Sequence, residues 1–181
     1  MEPFALVLPL TLVIPTTNIS SVKKQKIEIQ LEVFETFSEL PKDIRELMTK
    51  AQQARENAYA PYSRFRVGAA LQLASGEIVL GSNQENAAFP SGLCAERVAV
   101  FNAGANFPNE TITAIAITVR AENHEVSEAI APCGACRQSL AEYEQKQKSP
   151  IAIYFMGETG EIIKVASVMD LLPIGFDAKY L

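Results

Sequence analysis

The connection between the last two apolar runs of the chain constrains the fold more than any other feature. Residues 151–156 and 161–165 are rich in β-branched or aromatic residues, which predicts two strands. Only the four residues Gly157–Gly160 separate them. Parallel neighbours in a sheet need a crossover of about a dozen residues or more, whereas antiparallel neighbours need only a tight turn. These two strands are therefore expected to run antiparallel.

The rest of the sequence predicts an α/β fold. The spacing of apolar residues changes repeatedly between the helical period and the patterns typical of strands. Helices that alternate with strands indicate a sheet with helices on both faces. The predicted helices cover about 43–59, 94–103, 133–144 and 168–172, and the other predicted strands cover 65–73, 77–81 and 112–119.

The N-terminal part of the chain does not share this pattern. Apolar and polar residues alternate over 27–34, which predicts a half-buried extra strand. The apolar run Phe4–Ile14 has neither the basic flank of a signal peptide nor the length of about 20 residues that a membrane span needs. We therefore expect a cytoplasmic protein. It would consist of an N-terminal extension, 1–37, in which 1–21 are disordered, and one main domain, 38–181.

Charge and reactive residues favour a small substrate. The net charge of −5 opposes nucleic-acid binding, because phosphate contacts need a basic face. The single histidine, His124, lies in a polar stretch that is typical of a solvated loop, so catalysis by a serine–histidine or cysteine–histidine pair is not expected. Three cysteines at uneven spacing do not indicate a disulfide framework.

All three cysteines lie in two short motifs, each at the predicted start of a helix. Cys94 begins the sequence Cys-Ala-Glu-Arg, and Cys133 and Cys136 form a Cys-x-x-Cys pair. Such a pair alone can be a redox site or half of a structural zinc site, and Cys94 can pack as a small apolar residue. Three thiolates together leave one position of a tetrahedral zinc ion open for water, whereas a structural site needs four protein ligands. The combination favours a catalytic zinc ion.

Charged residues beside the cysteines suit this chemistry. Helix N-termini lower thiol pKa values, and Arg97 and Arg137 can donate to the thiolates or form structural ion pairs instead. Glu96 is the expected proton shuttle, which takes a proton from water and delivers it to the substrate and then to the leaving group. The alternative for Glu96 is a solvated acid that stabilises the helix dipole.

At these motifs the sequence resembles the small homotetrameric cytidine deaminases, over roughly 43–181. The resemblance implies a three-layer α/β/α sandwich with a mixed five-stranded sheet, plus the extra N-terminal strand, and a catalytic domain at 38–181. It also implies hydrolytic deamination of cytidine and 2′-deoxycytidine in pyrimidine salvage, with one zinc ion per subunit. Besides the cysteine motifs, the resemblance rests on Tyr59–Phe65, Val67–Ala70, Asn83–Ala87 and Leu171–Pro173.

The resemblance also implies substrate contacts. Phe65 would lie beside the base, and Asn83 and Glu85 would hydrogen-bond the sugar 3′-hydroxyl. The backbone at Ala95 would contact the pyrimidine edge. Phe176 would reach a neighbouring subunit's site, so that the active sites of a homotetramer are shared. On chemistry alone, Asn83 can equally be a turn residue, Glu85 a surface acid, and both phenylalanines ordinary core residues.

Two departures from the family pattern and three alternative functions remain. Phe89 stands where many relatives have tyrosine, and the extra strand either covers a sheet edge or joins a subunit interface. A deaminase of another cytosine compound, such as blasticidin S, would not need Asn83-x-Glu85. A nucleic-acid-editing deaminase is opposed by the acidic charge and by the short Gly157–Gly160 turn, where such editors place a helix. A noncatalytic zinc module would not need Glu96.

Overall fold

The computed structural model describes residues 22–181, so the disorder expected for 1–21 lies outside the described residues. Within this range six strands and three α-helices alternate, joined by loops and short 3-10 segments. In chain order they are β1 (Glu32–Phe34), α1 (Lys42–Glu56), β2 (Phe65–Leu73), β3 (Ile78–Ser82), α2 (Ala95–Asn106), β4 (Ile112–Ala121), α3 (Gly134–Gln147), β5 (Ala152–Met156) and β6 (Ile162–Val165).

The described strands form one mixed sheet in the order β1-β6-β5-β4-β2-β3. β4 and β5 are parallel, and α3 is the crossover that joins them. The other neighbouring strands are antiparallel. Among these, β5 and β6 run antiparallel as the four-residue connection predicted, and β2 and β3 form the predicted hairpin.

Helices cover both faces of the sheet, which confirms the predicted α/β/α sandwich. On one face Leu47 and Met48 of α1 are fully buried against the sheet. On the other face Val100 of α2 and Leu140 of α3 are fully buried together with Ile115 of β4. Burying a side chain of this size contributes roughly 1.5–3 kcal/mol, so both layers stabilise the sheet that carries the site.

A glycine sets the position of α2 on the sheet. A Cβ atom at Gly81 in β3 would lie 2.3 Å from the carbonyl oxygen of Ala95 and 2.5 Å from the amide nitrogen of Ala99. Such a close approach of two backbone segments is possible only at a residue without a side chain. The first turn of α2 therefore lies directly on the sheet, beside Cys94.

The predicted N-terminal strand is much shorter than expected. Strand structure covers only Glu32–Phe34 instead of 27–34, and β1 pairs with the outer edge of β6. Phe34 is half-buried against the α1 side of the sheet. Across residues 22–181 no second layer covers the remaining alternation, so it is not half-buried. Its apolar side chains are 44–55 % exposed: Ile27, Ile29, Leu31 and Val33.

Two predicted helix limits also differ. Helix α1 ends at Glu56, and Tyr59 instead forms an isolated bridge with Gln84. The predicted helix 168–172 is a single 3-10 turn, Val168–Leu171. In the part of the chain that the structure describes, no helix has the length and apolar character needed to cross a membrane.

Candidate metal centre and active site

Helices α2 and α3, which cover the same face of the sheet, each begin directly after a cysteine. Cys94 precedes α2 and Cys133 precedes α3, both in extended backbone conformation, and neither helix start carries a side-chain cap. The positive ends of both helix dipoles therefore act on the sulfur atoms. Cys136, in the first turn of α3, is buried.

The three sulfur atoms have the separation that a single zinc ion requires. Cys94 Sγ lies 3.9 Å from Cys133 Sγ, which lies 3.5 Å from Cys136 Sγ. All three lie within 4.8 Å of one another. Thiolates bonded tetrahedrally to one zinc ion at about 2.3 Å are about 3.8 Å apart. Among the His, Cys, Asp and Glu side chains of residues 22–181, this is the one group of three or more that is close enough to hold a metal ion.

Arg97 lies on the thiolate cluster, as the sequence predicted. Its Nη2 is 3.8 Å from Cys94 Sγ, and the Cys94 thiolate raises the pKa of Arg97. The pKa of Cys94 falls to about 5, foremost because the Cys136 thiol hydrogen-bonds to it, with Arg97 and Cys133 adding to the effect. The same hydrogen bond, together with burial, raises the pKa of Cys136. The arrangement thus favours negative charge at Cys94.

Arg137 makes different contacts. Its Nε donates to the carbonyl oxygen of Pro132 at 2.7 Å, and its Nη1 donates to the carbonyl oxygen of Leu171 at 2.9 Å. Its hydrogen bonds in the described chain go to these carbonyls and not to a sulfur atom. These contacts are structural, but they are hydrogen bonds to backbone carbonyls and correspond neither to donation to a thiolate nor to the ion pair that the sequence left open.

Glu96 is not a solvated surface acid. Its side chain is 4 % exposed, and within the described chain its Oε2 has no hydrogen-bond partner. Burial, together with the nearby Cys94 thiolate, raises the pKa of Glu96. A buried carboxyl with a raised pKa beside a metal centre is a group that can both accept and donate a proton near neutral pH.

A cavity of about 790 Å³ opens in front of the cysteines. Its lining includes Cys94 and Glu96 together with Phe65, Asn83 and Glu85. The structure therefore brings these predicted residues together around one space. Its apolar lining also includes Val67, which belongs to one of the family motifs, and five residues that the sequence did not single out: Leu93, Ile117, Val119, Ile130 and Ala131.

Asn83 and Glu85 are held firmly at the cavity. Asn83 Oδ1 accepts from the Val67 amide at 2.7 Å, and its Nδ2 donates to the Phe65 carbonyl at 2.9 Å. Glu85 Oε2 accepts from the amides of Tyr62 and Ser63 at 2.9 and 3.3 Å. Burial alone would raise the pKa of Glu85, but these hydrogen bonds and one from the Ser63 hydroxyl outweigh it and lower the pKa. Glu85 is thus an ionised acceptor.

Comparison with known proteins identifies the family. A family model described as the cytidine and deoxycytidylate deaminase zinc-binding region matches residues 41–151. The chain belongs to this family. Its three-cysteine cluster is the family's zinc site, with one zinc ion per subunit, and the protein is a zinc-dependent hydrolase.

Individual relatives agree with the family model. The chain is 39 % identical over 137 residues to a cytidine deaminase of Halalkalibacterium halodurans, an alignment that covers 76 % of this chain and 96 % of the relative. A crystal structure of cytidine deaminase from Burkholderia pseudomallei superposes with a TM-score of 0.62 at 39 % identity, and covers 72 % of this chain and 97 % of that one. For the cytidine deaminase of Mycobacterium tuberculosis the TM-score is 0.58 at 31 % identity, with 75 % and 98 % covered.

Two residues that the resemblance implied lie outside this chain's own cavity. Neither Ala95 nor Phe176 is among the residues that line it. Ala95 is fully buried in the first turn of α2. Phe176 is 57 % exposed and stacks on Tyr180, with 5.9 Å between the ring centroids. A role for Phe176 in this deaminase therefore requires a neighbouring subunit.

The entrance to the cavity is aromatic. Phe89 is 75 % exposed and contacts the edge of the Tyr62 ring, with 6.0 Å between the ring centroids. Both side chains belong to the cavity lining. The sequence motif that carries Asn83 gave no sign of this contact, because Tyr62 and Phe89 meet only when the loops before β2 and before α2 pack together.

Proposed function

We propose that the protein hydrolyses cytidine and 2′-deoxycytidine to uridine and 2′-deoxyuridine, with release of ammonia, in the cytoplasmic salvage of pyrimidine nucleosides. The observation that carries the proposal is the buried carboxyl of Glu96 beside the three cysteines, whose Oε2 has no hydrogen-bond partner within residues 22–181. It lies in the same cavity as Asn83 and Glu85. A purely structural zinc site has no use for such a carboxyl.

The proposed chemistry divides between the metal and the chain. When bound, zinc acidifies a water molecule and so supplies a nucleophile near neutral pH. Glu96 takes the first proton that this water loses and delivers it to N3 of the cytosine ring. It then takes the second proton from the same oxygen atom, now bonded to C4, and delivers it to the amino group, which leaves as ammonia while the C4=O bond forms. Arg97 balances the charge of the thiolates through its contact with Cys94.

Asn83 and Glu85 are proposed to select the nucleoside. The β2 backbone fixes the Asn83 amide but leaves one N–H and one lone pair for a substrate. Glu85 has its second carboxylate oxygen available to accept from a sugar hydroxyl. If both bind the 3′-hydroxyl, ribose and deoxyribose are equally acceptable. Phe65 would lie against the base, and the Ala95 backbone would contact the pyrimidine edge.

The active enzyme is proposed to be a homotetramer with shared active sites, without nucleic-acid partners. Phe89 and Phe176 are more than half exposed in the single chain, and contact between subunits would cover them. Phe176 would then complete the site of a neighbour.

The direct test is turnover by the purified, zinc-loaded protein of four compounds: cytidine, 2′-deoxycytidine, cytosine and blasticidin S. Ammonia release from the two nucleosides, with little from the other two, supports the proposal. Activity on blasticidin S alone would overturn the sugar-binding role of Asn83 and Glu85. No turnover of any of the four, with zinc bound, would overturn the proposed reaction.

A further inference from the structure

Two consecutive side chains after the last cysteine ligand bind the backbone near the C-terminus. Arg137 Nη1 donates to the carbonyl of Leu171 at 2.9 Å, and Gln138 Nε2 donates to the carbonyl of Phe176 at 3.0 Å. These two carbonyls mark the ends of residues 171–176, which we call the C-terminal segment. Helix α3 thus binds the segment at both ends, from the turn that also carries Cys136.

Arg137 also holds the loop that carries a zinc ligand. Its Nε donates to the carbonyl of Pro132 at 2.7 Å, and Pro132 directly precedes Cys133. The guanidinium group is planar and rigid, so two hydrogen bonds from one group fix the relative positions of both acceptors. One side chain therefore connects the Cys133 loop to the C-terminal segment.

The C-terminal segment contains a strained turn between its two held ends. Ile174 has a φ of 61°, in the left-handed region that β-branched residues avoid. Its side chain is 91 % exposed, so its own packing does not impose this conformation. The Gly175 amide donates to the Leu172 carbonyl at 3.1 Å, so Ile174 lies at the third position of a turn, where a positive φ is required. The hydrogen bonds from Arg137 and Gln138 lie on either side of this turn.

We propose that Arg137 is a positioning residue that couples zinc binding to the order of the C-terminal segment. Zinc fixes Cys133, the Cys133 loop fixes Arg137, and Arg137 fixes the carbonyl of Leu171. Coupling between two sites is reciprocal, so an ordered segment also slows the loss of zinc. The inference rests on the zinc site and is independent of the substrate, so it can fail while the proposed reaction stands.

The first test measures zinc release from the zinc-loaded full chain into excess chelator. Removing a partner that orients a metal ligand typically weakens metal binding about 10–100-fold, so Arg137→Met is expected to speed release by about tenfold or more. Arg137→Lys is expected to be intermediate, because one ammonium cannot bind both carbonyls in a fixed geometry. The matched control is Arg120→Met, since Arg120 is also half-buried but pairs with Glu56 at 2.7 Å.

The second test measures amide hydrogen exchange in the wild-type protein with and without zinc. Removal of zinc is expected to speed exchange in the C-terminal segment while leaving α1, on the opposite face of the sheet, unchanged. Arg137→Met should produce the same local increase with zinc still bound. A zinc release rate of Arg137→Met within about twofold of the wild-type rate would overturn the proposal. Amide exchange in the C-terminal segment that is equally fast with and without zinc would also overturn it. If Arg137→Met does not fold, the proposal is tested by the zinc release rate of Arg137→Lys and by amide exchange of the wild-type protein with and without zinc.

Discussion

At the scale of residues, the two carboxyl groups that line the cavity lie in different environments. Burial raises the pKa of Glu96, whereas hydrogen bonds from the Tyr62–Ser63 loop lower the pKa of Glu85. Two carboxyls whose pKa values are moved in opposite directions are suited to different tasks. The raised pKa of Glu96 suits its proposed role in moving protons, and the lowered pKa of Glu85 suits a charged acceptor.

Replacement of Glu85 by glutamine tests its role in binding. A hydrogen bond to a charged group contributes about 1.5–3 kcal/mol, so Glu85→Gln is expected to lower kcat/KM for cytidine by about 10–100-fold, mainly through KM. Steady-state kinetics of ammonia release measure this. The matched control is Glu142→Gln, because Glu142 is exposed on α3, away from the cavity. An unchanged kcat/KM in Glu85→Gln would contradict the assignment.

The lowered pKa of Glu85 also predicts a pH dependence of stability. A carboxyl whose pKa is lower in the folded state stabilises the protein above its unfolded pKa, about 4.5. That stabilisation is lost as the pH falls through the folded pKa. The Tm difference between wild type and Glu85→Gln should therefore be present at pH 7 and shrink as the pH falls below about 4.5. Thermal unfolding of both proteins over this pH range measures the Tm difference. A Tm difference that does not change with pH would count against an ionised Glu85 in the folded protein.

At the scale of elements, local geometry was predictable and burial was not. The Gly157–Gly160 turn correctly indicated an antiparallel β5–β6 pair, because turn length alone decides that geometry. The alternation at 27–34 indicated a buried face, but burial depends on a second layer that residues 22–181 of a single chain do not provide. The motifs likewise predicted that Cys94 and Glu96 belong to the site, whereas Ile130, in the irregular loop before Cys133, belongs to no motif, so its place in the cavity lining was not predictable.

The contact between β3 and α2 yields a prediction about a pair of glycines. Gly81→Ala is expected to destabilise the protein by about 1–3 kcal/mol and to weaken zinc binding, because the new methyl group would push the first turn of α2 away. Gly134→Ala is the control, because a Cβ there meets nothing within 4 Å and alanine favours a helix. Denaturant unfolding and zinc titration of both variants check this. Equal stability of the two would show that the close approach at Gly81 is unimportant.

At the scale of the whole molecule, the exposed aromatic side chains concern assembly. Phe89, Phe176 and Tyr180 are each more than half exposed in the single chain, and Phe176 is absent from the cavity of its own subunit. The sequence could indicate this only through the family resemblance, because no local pattern distinguishes a core phenylalanine from one that a neighbour covers. The proposed homotetramer accounts for these exposed rings.

Shared active sites predict complementation between two inactive variants. Glu96→Gln removes the proton shuttle from its own site, and Phe176→Ala removes a contact from a neighbour's site. Co-expressed subunits should form mixed tetramers in which some sites have both residues, so activity should exceed that of either variant alone. Ammonia release by the co-purified mixture measures this. A mixture no more active than the mean of the two separate variants would show that Phe176 does not act across subunits.

The central claim is that Glu96 moves the protons of a zinc-dependent deamination. Its most direct test is the rate of cytidine deamination by Glu96→Gln protein, with zinc content and Tm measured on the same sample. If Glu96 moves the protons, Glu96→Gln is expected to lower kcat by at least about 10²–10⁴-fold, with one zinc ion per subunit retained and the fold intact. Turnover close to the wild-type rate in zinc-loaded Glu96→Gln would show that Glu96 is not the proton shuttle.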